Sequence, residues 1–462
     1  MVGRTRIEKD SLGEKRVPEA AYYGVQTVRA LENFPVSGLK EDPAFIRAYG
    51  YIKKAACRVN RRAGKLNPEK ADAIEEAAAE VIAGKWDDQF VVDVFQAGAG
   101  TSFHMNVNEV IANRALEILG KERGDYQQLH PNDDVNFGQS TNDTFPTAIH
   151  LAALELSNEL RPVLAELADA FNTKGEEFHH ILKSGRTHLQ DAVPIRLGQE
   201  FRGYAAALQR SLHLLKDAER ELQDLPIGGS AAGTGLNTVP GFQKDVVAEL
   251  SDLTGLELHP AQDLREAMQS RQAIAAASAA LRNLALELIR IANDLRLLSS
   301  GPATGLAEIS LPAVQPGSSI MPAKINPVMA ECLNMVCFQI AGNDTAISMA
   351  VQAGQLELNV MMPLMAFKLL QSYRLFINYL PVFTEKCVRG ISANEERCRR
   401  YMHSSAALGT VLNPLIGYSK TAELIKQALR EEKSIRELVV ENNILSEEKM
   451  SELLDAQKLT GE

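Results

Sequence analysis

The chain has 462 residues, of which 45% are apolar and 23% charged, and a formal net charge of -10. That length exceeds one compact core and predicts two or three domains. The acidic balance excludes a nucleic-acid or anionic-membrane surface as the main partner, and charges break every apolar run short of the roughly 20 residues a membrane helix needs. The stretch "MVGRTRIEKDSLGEKRVPEAAYYG" carries no apolar signal core, so the cytoplasm is the expected location. Cys57, Cys332, Cys337, Cys387 and Cys398 include no C-x-x-C pair. Neither a disulfide framework nor a zinc site is expected, and Cys332 and Cys337 read as small buried apolar residues.

In chain order, residues 1–140 predict shorter helices joined by polar loops, an N-terminal helical domain. Long helices are expected over 141–392. One follows Pro146. A second carries a seam through Leu197, Phe201, Tyr204, Leu208, Ser211, Leu215, Ala218 and Leu222. A third carries Ile274, Ala277, Leu281, Leu284, Leu288, Ile291, Leu295 and Leu298. Alternating steps of three and four mark long helices packed at a shallow angle. Another long segment spans Asn326 to Gln371, with turn signals only at Gly342, Gly354 and Pro363. Ala-rich runs such as "AIAAASAALRNLALELI" present more apolar surface than one bundle covers, so oligomerisation is expected. Residues 393–462 predict a small domain of short amphipathic helices, with a loose capping box at Ser446, Glu448 and Lys449.

Four segments hold more polar donors than one helix cap requires: "GAGTSFHMNVNE", "GQSTNDTFPT", "GRTHLQDAVP" and "GSSIMPAKINP". Three lie just before predicted long helices, whose N-termini offer free N–H groups and the positive end of a dipole. Each alone reads as ordinary capping; together they predict a metal-free site for a small dianion. "GGSAAGTGLNT" lacks the Gly-Lys-Ser/Thr ending of a phosphate loop and reads as a turn with close helix packing.

"GSSIMPAKINP" closely resembles the signature loop of the aspartase/fumarase superfamily, and "GTSFHMNVNEV", "QSTND", "GRTHLQDAVP" and "GNDT" follow the family's other segments along nearly the whole chain. The resemblance implies an all-α, three-domain fold with a central bundle of five long helices, divided at 1–140, 141–392 and 393–462. It implies a homotetramer whose active sites are shared by three subunits. The implied substrate is a small dicarboxylate, with no cofactor and no metal. "AYYGVQT", "FQAGAGTS" and "NPVMAE" resemble the branch that eliminates ammonia from L-aspartate. The alternative is a class II fumarase, which adds water to fumarate. A non-catalytic helical scaffold is the remote third possibility.

Residue by residue, the resemblance implies Ser318 as base and His188 beside the reacting amine with Asn142. It implies Thr101, Ser140, Thr141 and Ser319 as donors to the β-carboxylate, and Thr187, Lys324 and Asn326 as holders of the α-carboxylate. Glu331 is expected to orient His188. The sequence departs from the family at His104, where Asn is usual, and at Met362, where Glu is frequent. His104 is expected near the pocket, touching substrate or supporting residues that do.

Overall fold

The computed structural model describes residues 4–461. The chain opens on an antiparallel hairpin, β1 (Thr5–Asp10) and β2 (Gly13–Pro18). Four helices follow: α1 (Val25–Asn33), α2 (Pro43–Arg62), α3 (Pro68–Ile82) and α4 (Thr101–Ile118). Capping sets the starts of α2 and α3. Asp42 and Asn67 accept from backbone N–H groups, and Pro43 and Pro68 occupy the first turn, where a missing N–H costs nothing.

Helix α5 (Thr141–Glu177) leads into a second hairpin, β3 (Leu182–Thr187) and β4 (Gln190–Arg196), and then α6 (Leu197–Leu222). Next come α7 (Phe242–Thr254), α8 (Leu264–Gln269), α9 (Gln272–Leu298), α10 (Val328–Gln352) and α11 (Met362–Lys386). The C-terminal stretch holds α12 (Glu395–Ser404), α13 (Asn413–Ile416), α14 (Tyr418–Glu431), α15 (Ile435–Glu441), α16 (Glu447–Leu453) and α17 (Ala456–Thr460). The fold is all-α with small accessory strands, and α5, α6, α9, α10 and α11 are the five long helices among the described residues.

Both predicted seams are buried along their whole length, from Leu197 to Leu222 and from Ile274 to Leu298. Three expectations need correction. The segment from Asn326 to Gln371 is two helices, because the chain turns at Gly354 and restarts with Pro363 in the first turn of α11. Helix α5 begins at Thr141, ahead of Pro146. The complete capping box joins Ser434 to Glu437; at Ser446 the third helical residue is Lys449, which has no acceptor to return the bond.

Contacts divide the chain into two units. The first takes in the chain up to Arg161, His213–Ala285 and Phe338–Ile377; the second takes in Pro162–Leu212, Leu286–Cys337 and the chain from Asn378. In the first, Phe45, Phe103 and Phe145 stack between α2, α4 and α5, with ring centroids 5.4 and 4.9 Å from Phe45. In the second, Phe171, Phe178, Phe201 and Tyr204 pack α5 on α6. Leu412, Leu424, Ile435, Leu438, Val439 and Met450 form a separate buried cluster among the C-terminal helices. The five cysteines are free. Among the described residues, no helix is long and apolar enough to cross a membrane.

Candidate active site

In the first unit, predicted site residues stand at the starts of two helices. Thr101 is the first residue of α4 and lines a cavity of about 580 Å³ with Ser102, Met105 and Asn132. The sharp entry needs Gly100, at φ +90°; a Cβ there would overlap the Phe145 ring. Ser140 caps α5: its Oγ accepts from the Asn142 amide at 3.2 Å. Asp143 reaches back to the Ser140 amide at 3.0 Å. Thr141 is buried, with its Oγ1 2.7 Å from His104 Nδ1. His104 is itself buried, and so is Met362, at the start of α11. Ser140, Thr141, Asn142 and His104 are thus one cluster.

Two contributors to this cluster escaped the sequence reading. Asp143 is fully buried and accepts the Gly228 and Ser230 amides at 3.1 and 2.9 Å, while Asn142 Nδ2 donates to the Ala231 carbonyl at 2.8 Å. The "GGSAAGTG" turn therefore braces the head of α5. Burial pushes the Asp143 carboxyl up to about 7, against the pull of its three backbone donors. The second contributor is Lys53, a buried residue 2.7 Å from His104 Nε2.

In the second unit, Thr187 and His188 stand at the exposed tip of the β3–β4 hairpin. Its two-residue loop is His188-Leu189, with φ +56° and +58°. Both central residues of this tight turn are left-handed, a conformation that normally selects Asn-Gly. His188 and Leu189 therefore bear the steric cost of the left-handed region without being glycine or asparagine. A charge cluster anchors β3 at both ends, through Lys183 and Arg186. The buried Glu308 carboxylate takes Arg186 at 3.0 and 2.9 Å and Lys183 at 2.9 Å, and Lys183 also reaches Glu200 at 2.8 Å.

The stretch Gly317–Pro327, also in the second unit, is a loop tied to itself. The Gly317 amide donates to the Lys324 carbonyl at 2.8 Å, and Asn326 Nδ2 donates to the Gly317 carbonyl at 2.6 Å. Only glycine fits this crossing, because a Cβ on Gly317 would overlap the Lys324 carbonyl oxygen. Inside the loop, Ser318 Oγ accepts two backbone N–H groups, from Ile320 at 3.2 Å and Met321 at 2.9 Å. Ser319 and Lys324 are exposed, and half-buried Glu331 lies in the first turn of α10. Among the described residues, no hydrogen bond joins Glu331 to His188 within the chain.

Comparison with known proteins places the chain in a family. Residues 13–342 fit the Lyase family, and residues 408–461 fit the Fumarase C C-terminus. The chain is a lyase of the aspartase/fumarase superfamily. Aspartate ammonia-lyase from Bacillus subtilis (strain 168) is 48% identical over 98% of this chain and 96% of its own. Fumarate hydratase class II from Halobacterium salinarum is 50% identical over 98% of this chain and 97% of its own. A crystal structure of fumarate lyase:delta crystallin from Brucella melitensis bound to cobalt superposes with a TM-score of 0.95, at 48% identity, covering 98% of this chain and 99% of that one. The superfamily fold is therefore present end to end, while the two enzyme activities among the relatives stand at nearly equal identity.

Proposed function

We propose that this lyase is a carbon–nitrogen lyase that reversibly eliminates ammonia from L-aspartate to give fumarate. The C3 proton of aspartate is too weakly acidic for an ordinary side chain to remove. It becomes accessible only when the β-carboxylate takes up the electron pair as an aci-carboxylate dianion, held by preorganised donors. In this reading Thr101, Ser140, Thr141 and Ser319 hold that dianion. Ser318 takes the proton, and Thr187, Lys324 and Asn326 hold the α-carboxylate. Asn142 and His188 flank the amino group, which leaves as ammonia when the C2–N bond breaks.

The observation that carries the reading is the setting of Ser318 Oγ. Serine is a hopeless base unless its oxyanion is stabilised and shielded from water. Here two N–H groups already point at that oxygen, from Ile320 and Met321, and the bonds across Gly317 hold the loop that supplies them. They form a nest that stabilises the alkoxide. Lys324, on the same loop, adds a full positive charge.

The site residues fall in both units of one chain, and we take the complete site to be assembled from three subunits of a homotetramer. In that assembly Glu331 orients His188 across subunits. Exposed Met335, Phe338, Thr345 and Met349 form a seam along α10, with Gly342 between them, and suit helix pairing between copies. The division into domains at about residues 140 and 392 belongs to the same reading, supported by the separate C-terminal cluster.

The second reading is class II fumarate hydratase, favoured by the Halobacterium salinarum relative. "AYYGVQT", "FQAGAGTS" and "NPVMAE" favour ammonia as the leaving group. A spectrophotometric comparison of L-aspartate with L-malate tests the choice. Fumarate growing from aspartate supports the elimination of ammonia. Fumarate from malate alone would replace it with the hydratase.

A further inference from the structure

A chain of polar groups lies beneath Thr141, all within the first unit. Lys53, on α2, is fully buried. Its Nζ lies 2.7 Å from His104 Nε2, 2.9 Å from Asn136 Oδ1 and 2.9 Å from Gln139 Oε1. On the other side of the imidazole, Nδ1 lies 2.7 Å from Thr141 Oγ1.

The direction of each bond follows from the groups at the edge of the cluster. Asn136 Nδ2 donates to the Gln139 carbonyl, and Gln139 Nε2 donates to the carbonyls of Val135 and Phe137. Both amides therefore turn their oxygens to Lys53, and each takes one proton from it. An ammonium has a third proton. His104 Nε2 is placed to receive it. A neutral amine would instead give its two protons to the amides and accept from an Nε2–H through its lone pair. The charge on Lys53 thus sets the direction of the relay, and the Thr141 donor that the site reading requires selects the ammonium. Burial pulls the Lys53 pKa well below its ordinary value, and the neighbouring Asp143 carboxylate acts against that pull. The same burial, together with the Lys53 charge, holds the His104 pKa far below its usual value. The ring is then neutral and carries one N–H. With Nε2 accepting, that proton sits on Nδ1 and is donated to Thr141 Oγ1.

We propose that Lys53 and His104 are positioning residues that fix the Thr141 hydroxyl as a hydrogen-bond donor to the substrate β-carboxylate. The proposal rests on the contact between Thr141 and substrate assigned above. A hydroxyl that receives a hydrogen bond from the ring keeps its own proton free to point away from it. In the reverse arrangement Thr141 would donate to His104 and turn lone pairs towards a carboxylate, which repels them. A donor aimed in advance needs no reorientation as charge builds up on the carboxylate.

An amide at position 104 preserves this polarity, since its oxygen accepts from Lys53 and its N–H donates to Thr141. An aliphatic side chain does not. His104→Gln is therefore expected to keep kcat/KM within about threefold, while His104→Leu and Lys53→Met lose about 10- to 100-fold, as for a charge-assisted hydrogen bond. Equal losses in His104→Gln and His104→Leu would overturn the proposal. So would a full-rate His104→Leu beside an impaired Thr141→Val, which leaves the site reading intact. A full-rate Thr141→Val would instead remove the site reading, and the proposal with it. Nitrogen-15 spectra of histidine-labelled enzyme give a test independent of turnover. The signal missing from His104→Gln is expected to carry its proton on Nδ1, and a proton on Nε2 would contradict the relay.

Discussion

The Gly317 amide donates to the Lys324 carbonyl at 2.8 Å, and this bond closes the loop that carries Ser318. It brings the loop's two ends together and leaves the Ile320 and Met321 amides free to converge on Ser318 Oγ. The sequence alone shows Lys324 as a stray cation among Met, Pro, Ala and Ile. The structure uses its backbone as a clasp and leaves its side chain exposed.

Gly317→Ala breaks the clasp, because the added methyl overlaps the Lys324 carbonyl oxygen. The loop is exposed and builds no core, so the fold persists. Displacing a base by about 1 Å costs on the order of 100-fold in kcat. Steady-state kinetics beside an unchanged circular-dichroism spectrum is the check; wild-type kcat would show that the clasp does not position Ser318.

Leu189→Gly relieves the strained turn. Leu189 holds φ +58° and is 72% exposed, so its side chain contributes little packing to offset the strain. Glycine adopts this conformation freely, at some cost in unfolded-state entropy. The net expectation is a gain of about 1 kcal/mol in stability, read from the urea midpoint. A loss of stability would mean that the leucine side chain anchors the hairpin.

Glu41 gives a pH signature. It is buried beside Asp42 and Asp93, and burial foremost pushes its carboxyl from 4.5 up to about 8. One of its oxygens, Oε2, has no hydrogen-bond partner among the described residues. Between those two values the native state keeps a proton that the unfolded state has released. Stability is thus full below the lower value and is lost as pH rises through the upper one. Glu41→Gln removes the dependence. The variant is expected to match wild type near about pH 5 and to exceed it by about 1–3 kcal/mol near about pH 8. An equal difference at both pH values in urea denaturation would refute this.

Much of the fold was legible because burial imposes a period. The seams from Leu197 and from Ile274 appear as steps of three and four, and every residue on them is buried. The four polar segments were legible because helix starts do not need so many donors. The β3–β4 hairpin was not, since His188-Leu189 is an unlikely pair for a turn with two left-handed residues. Lys53 was also hidden. In "YIKKAA" it reads as a solvated helix lysine, and only its partners from distant segments, His104, Asn136 and Gln139, show that it is buried. The break at Gly354 was marked by its glycine, but a single glycine does not distinguish a turn from a tolerated helix position.

The central claim is that Ser318 removes the C3 proton of L-aspartate. The most direct measurement follows fumarate absorbance after L-aspartate is added to wild type and to Ser318→Ala, with the oligomeric state of both recorded. Steady fumarate production is expected from wild type and a loss of several orders of magnitude in the variant, with assembly unchanged. Near-wild-type turnover by Ser318→Ala would contradict it.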